Sequence, residues 1–95
     1  MSDSPFTDPV IIPIEDCLDL HPFRPNDIPS VVNEYIEQCV GKGILQVRLI
    51  HGRGKGVQRR IVQSLLGKHP RVVEFKDAPA EAGGWGATVV VLQAR

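Results

Sequence analysis

Two stretches of this 95-residue chain, 28–40 and 57–66, place apolar residues three and four positions apart, and glycine closes each one before a short strand-like run begins. Ile28, Val31, Val32, Tyr35, Ile36, Cys39 and Val40 fall on one helical stripe, and Val57, Ile61, Val62, Leu65 and Leu66 on another. Gly41 and Gly43 stop the first helix, and Gly67 with Pro70 stops the second. Asn26 and Asp27 offer N-caps for the first helix, where Pro29 is tolerated because first-turn amides have no helical partner. The runs around these helices read as strands: "IEDCLDLH" at 14–21, "ILQVRLI" at 44–50, "RVVEFK" at 71–76 and "ATVVVLQ" at 87–93. In the first, Ile14, Leu18 and Leu20 share one side, and only Asp16 breaks the alternation, at a position expected to be exposed.

The order is β-α-β-α-β-β. Strands joined through helices run parallel, with both helices on one face of the sheet. The loop "DAPAEAGGWG" at 77–86 holds no helix and is short for a crossover, which predicts an antiparallel fourth strand. The expected fold class is α/β, a two-layer sandwich with a mixed four-stranded sheet. Pro5, Pro9 and Pro13 forbid a helix before residue 14, so 1–13 is expected to be an extended or flexible arm and 14–95 one domain.

The formal net charge is zero, yet eight of the eleven cations lie between Lys42 and Arg71, a span without Asp or Glu. The neutral total thus hides a basic segment. Cys17 and Cys39 match no metal or redox spacing and are expected to be buried, reduced thiols. "PVIIPI" is too short and too broken by proline for a signal peptide or a membrane span, so the cytoplasm is the expected location, without a membrane partner. A short chain with few aromatics is expected to be a monomer.

In such a sheet, ligands bind outside the C-terminal ends of the parallel strands. Asp19 and His21 end the first strand and point to the same side; His51 and "GRGKG" follow the second; "GGWG" follows the third. All converge on one rim. The glycine loop opens the second helix, whose free amides and positive dipole end favour an anion. Gly52, Gly54 and Gly56 let the backbone approach a phosphate, while Arg53, Lys55, Arg59 and Arg60 add positive charge. By itself the loop matches neither GxxxxGK[ST] nor GxGxxG. Phosphodiester cleavage needs proton transfer and charge neutralisation, and His21 oriented by Asp19 suits the first of these, with His51 in support. Asp19 could instead accept backbone amides of a neighbouring loop, and His51 could serve only to hydrogen-bond its own loop. Trp85, between Gly84 and Gly86, suits either base stacking or covering the sheet edge. His69, beside Pro70, reads as a surface residue or a helix C-terminal partner. No metal site is read, since Asp-x-His alone is no metal signature.

With "LDLH" at 18–21, "HGRGKG" at 51–56 and "GGWGATVVVL" at 83–92 in order, the chain resembles the small MutS-related (Smr) domain over roughly residues 15–92. The resemblance implies a fold similar to the C-terminal domain of translation initiation factor 3. It also implies DNA or RNA binding, and a nicking or endonuclease activity on structured nucleic acid; a non-catalytic binding module is the alternative. The family's LDxH motif matches Leu18, Asp19, Leu20 and His21; its HGxG motif matches His51 to Gly54; its glycine-rich motif matches Gly83, Gly84 and Gly86 with Thr88. No cofactor is certain, and magnesium is left open. Where most members have glycine after the motif histidine, this chain has Pro22, which disfavours helical backbone at His21.

Overall fold

The computed structural model describes residues 15–52 and 54–94. The arm expected over 1–13 lies outside the described residues. Strand β1 (Glu15–Asp19) leads through a 3-10 turn (Pro25–Asp27) into helix α1 (Ile28–Gly41). Strand β2 (Gln46–Ile50), helix α2 (Val57–Leu66) and strand β3 (Val72–Asp77) follow, then two 3-10 turns (Ala80–Ala82 and Gly84–Gly86) and strand β4 (Ala87–Leu92). The sheet order is β1-β2-β4-β3. β1 pairs parallel with β2, while β4 runs antiparallel between β2 and β3. The expected directions therefore hold, and β4 is what separates β3 from its parallel companions.

Leu20, Val47, Leu49, Val90 and Leu92 face the helices and join Ile28, Val32, Ile36, Cys39, Val40, Val62 and Leu66 in one buried core. Each removes apolar area from water at about 25 cal/mol per Å2, the main stabilisation a chain of this size has. Register follows from that alternation: a slip of one residue would turn Val47 and Leu49 outward. Thr88 lies across from Leu49 and is likewise wholly buried on the helix side.

Five expectations need correction. Asp27 takes the N-cap position of α1, but its side chain makes no capping bond; the preceding 3-10 turn leaves it in helical backbone geometry, and its carboxylate accepts from Arg24 Nε at 3.4 Å instead. Asp16 is half-buried, not exposed, because it shares the helix-facing side of β1 and meets Cys39 Sγ at 3.9 Å. Cys17 points to the opposite face and is exposed, so one thiol is buried and the other is not. Val57 starts α2 at the outer rim with 47% of its surface exposed, beyond the reach of the core. His69 is no surface residue: its side chain is 7% exposed, Nδ1 accepts the Arg71 amide at 3.0 Å, and Nε2 faces Glu37 at 3.9 Å.

Candidate functional site

Asp19, Ile50 and Asp77, the last residues of β1, β2 and β3, and Ala87, the first of β4, meet at one end of the sheet through the registers Asp19–Ile50, Ile50–Ala87 and Asp77–Thr88. Three glycine or histidine motifs are fastened there by backbone bonds. Leu20 N–H donates to the Ile50 carbonyl at 2.8 Å, extending the β1–β2 ladder by one rung. The amides of His51 and Gly52 both donate to the Gly86 carbonyl, at 3.1 and 2.8 Å. Immediately after His21 the chain turns, with Phe23 N–H on the Leu20 carbonyl at 3.1 Å, and Gln58 Nε2 of α2 holds the Phe23 carbonyl at 2.9 Å.

Asp19 and His21 form a dyad. The carboxylate accepts the His21 backbone amide at 2.9 Å and the ring Nδ1–H at 2.6 Å. A carboxylate can only accept, so Nδ1 carries a proton, and in the neutral ring the lone pair is on Nε2. The bond from the His21 amide first, and the bond from its ring second, hold the Asp19 carboxyl below its ordinary 3.8. Both side chains are 59% exposed, open to a substrate at the rim. The far end of the ring lies over Gly52: a Cβ on Gly52, whose φ is +82°, would stand 2.6 Å from His21 Nε2. Glycine is therefore required at 52 twice over, by backbone sign and by this close approach.

His51 is built differently. It is 5% exposed; Nδ1–H donates to the Gly52 carbonyl at 3.0 Å and Nε2 accepts the Thr88 hydroxyl at 2.8 Å. Both ring nitrogens are thus spent on the loop and β4. Burial pushes the imidazolium down from the ordinary 6.5, against the Gly52 carbonyl, which favours the charged form; the Arg59 cation adds to the lowering. Because the folded value is the depressed one, the unfolded chain binds the proton first as the pH falls. This contribution to stability is full above about 6.5 and is lost as the pH drops through the folded value. Thermal melts between neutral and mildly acidic pH are expected to show Tm falling as the solution is acidified, and His51→Gln should remove part of that slope.

Between β2 and α2 the loop encloses a cavity of ≈ 170 Å3 lined by His51, Gly52, Gly54, Lys55, Gly56, Val57 and Gln58. It lies at the N-terminus of α2, where free amides and the helix dipole favour an anion. Of the other expected phosphate ligands, Arg53 lies outside the described residues. Arg60 is exposed on α2 and lines the groove between the helices with Pro29, Ile61 and Leu65, away from the loop cavity. Arg59 Nη2 donates to both carboxylate oxygens of Asp77, at 2.8 and 3.0 Å, and its guanidinium lies 5.5 Å from the Trp85 ring. Gly84 and Gly86 flank that ring in the last 3-10 turn. Among the described residues, no group of three His, Cys, Asp or Glu side chains is placed to hold a metal ion. Sequence reasoning missed Asp77, Thr88 and Gln58 as supports of this rim. Asp77 and Thr88 had a usable signal, since a strand that ends at the rim must place its end residues beside the loop; Gln58 had none.

The chain matches the family model of the Smr domain over residues 18–93. It is 37% identical over 76 residues to endonuclease MutS2 of Lactococcus lactis and 33% identical over 75 residues to endonuclease MutS2 of Helicobacter pylori, covering 80% and 79% of this chain. Each alignment takes in 10% of the relative, so the chain spans about a tenth of the length of the curated proteins it matches. Among solved structures it is similar to the Smr domain of Thermus thermophilus MutS2, with a TM-score of 0.79 and 32% identity over 84% of this chain and 99% of that one. It is also similar to YdaL, a stand-alone small MutS-related protein from Escherichia coli, with a TM-score of 0.76 and 26% identity over 81% of this chain and 63% of that one. Motif order, strand order and these likenesses agree, and the chain belongs to the Smr domain family.

Proposed function

We propose that the protein binds DNA or RNA through the glycine loop and cleaves a phosphodiester of a structured substrate at the Asp19–His21 dyad. The observation that carries this reading is the 2.6 Å bond from His21 Nδ1–H to Asp19, which in the neutral ring puts the lone pair on Nε2, over Gly52 at the edge of the loop cavity. In this reading, Lys55 and the amides that open α2 hold the phosphate. Nε2 takes the proton of the attacking water as its oxygen bonds to phosphorus, and the ester bond to the departing sugar oxygen breaks, that oxygen being protonated in turn. His51 shapes the loop through its two ring bonds and transfers no proton. This reading assigns the dyad to proton transfer, and the need for magnesium is decided by the assay below. The free thiols of Cys17 and Cys39 suit a reducing compartment; we place the protein in the cytoplasm, acting as a monomer. A binding module without catalysis is the second reading, favoured by the openness of the dyad, whose two side chains are 59% exposed among the described residues.

A cleavage assay on linear and branched DNA and on RNA, with chelator or with added magnesium, tests the proposal. Strand scission is the expected result. Binding without scission on every substrate promotes the second reading. Affinity must also fall with salt, log K dropping by about 0.7–0.9 per phosphate contact for each decade of added salt. Lys55→Ala is expected to reduce that slope by about one contact's worth. Absence of affinity for any DNA or RNA at low salt rejects both readings.

A further inference from the structure

The single tryptophan of the chain lies in the 3-10 turn that is hydrogen-bonded to the glycine loop. Trp85 is 44% exposed, the one large aromatic side chain left exposed among the described residues. The residue after it, Gly86, accepts the amides of His51 and Gly52, so the indole is joined directly to the loop that encloses the anion cavity. One face of the ring is occupied. The Arg59 guanidinium lies 5.5 Å from the ring centroid, and Arg59 is itself clamped, with Nη2 on both oxygens of Asp77 at 2.8 and 3.0 Å. Gln63 Nε2 reaches the same carboxylate at 3.3 Å. Gln63 thus steadies Asp77, which holds Arg59, which backs the ring.

This arrangement gives Arg59 a role beside that of an expected phosphate ligand. Nη2 anchors the guanidinium to the end of β3, and a planar cation fixed in this way over the ring is a firm support for it. We infer that Trp85, backed by Arg59, is a stacking platform for an unpaired nucleobase next to the phosphate in the loop, and that it makes the site prefer single-stranded or unstacked nucleotides to continuous duplex. The inference rests on the proposed nucleic-acid reading. In a duplex both faces of every internal base are covered by its neighbours, and none is free to stack on the indole. An unpaired base presents a face at no such cost, and stacking of this kind tolerates any base.

Because Trp85 is the sole tryptophan, its emission reports the contact directly. A short oligothymidylate and a short blunt duplex are titrated into the protein at low salt, following both indole emission and the anisotropy of a dye on the oligonucleotide. The single strand is expected to quench the indole and the duplex to leave it unchanged. Trp85→Ala should weaken single-strand binding roughly tenfold and leave duplex binding as it was, and Trp85→Phe should restore most of the loss. If Trp85→Ala fails to fold, the quenching in the natural protein and the Trp85→Phe affinity carry the test. Single-strand binding by anisotropy without any change in indole emission overturns this inference alone, as does equal binding by the Trp85→Ala protein. No binding of either probe overturns the nucleic-acid reading and this inference with it.

Discussion

Replacing His21 with alanine is expected to lower the rate of cleavage by about 100- to 10,000-fold, the range a positioned general base or acid contributes. Binding should be unchanged, because His21 is exposed, contributes nothing to the core and does not line the loop cavity. Asp19→Asn isolates orientation from presence. The amide keeps the shape of the carboxylate, but its NH2 group can donate to Nδ1 and stabilise the other tautomer, with the proton on Nε2. A rate between those of the natural protein and His21→Ala is therefore expected. Single-turnover cleavage at saturating protein separates these effects from affinity. Since the two bonds from His21 hold the Asp19 carboxyl below 3.8, Asp19 stays ionised throughout the neutral and mildly acidic range, and any loss of rate there belongs to another group. If cleavage survives both substitutions, the chemistry is wrongly assigned.

What the sequence showed about this rim came from topology more than from motif strength. "HGRGKG" alone matched no phosphate loop, yet two helices between parallel strands force the ends of β1 and β2 together, and the short last loop brings the start of β4 to the same edge. The elements were legible because each apolar stripe had only one period to fit. Three features were not. Neither periodicity nor loop length says which strand β4 will sit beside, so its insertion between β2 and β3 had no local signal. Asp16 looked like a surface residue because alternation counts a carboxylate as polar; the neighbouring Tyr35 and Cys39, which let it sit half-buried, come from helix α1, Cys39 lying 23 residues further along. The clamp between Asp77 and Arg59 links residues 18 apart and exists only because the end of β3 reaches the first turn of α2. Thr88 stood inside a recognised motif without a role, and its register opposite Leu49, beside His51, supplies one.

Gly52→Ala is expected to reduce cleavage nearly as far as His21→Ala while leaving the fold in place. At φ = +82° an added Cβ costs about 1–2 kcal/mol in backbone strain, which a folded domain can absorb. The larger effect is steric: that Cβ would stand 2.6 Å from His21 Nε2, closer than atoms approach without moving. The obstacle is the free end of a ring that is open to water, so the ring gives way, not the backbone. As it swings out, the 2.6 Å bond from Nδ1 to Asp19 is lost, and with it the tautomer and the aim of Nε2. Gly43 is the matched control. Its φ is +78°, nothing lies within 4 Å of its Cβ position, and it sits between α1 and β2, at the opposite end of β2 from His51. Gly43→Ala should lower Tm about as much as Gly52→Ala and leave cleavage intact. Equal activity in the two variants would show that the contact between His21 and Gly52 has no part in the chemistry. A loss confined to Gly52→Ala, with unchanged oligonucleotide affinity, would place the defect in the dyad and not in the phosphate loop.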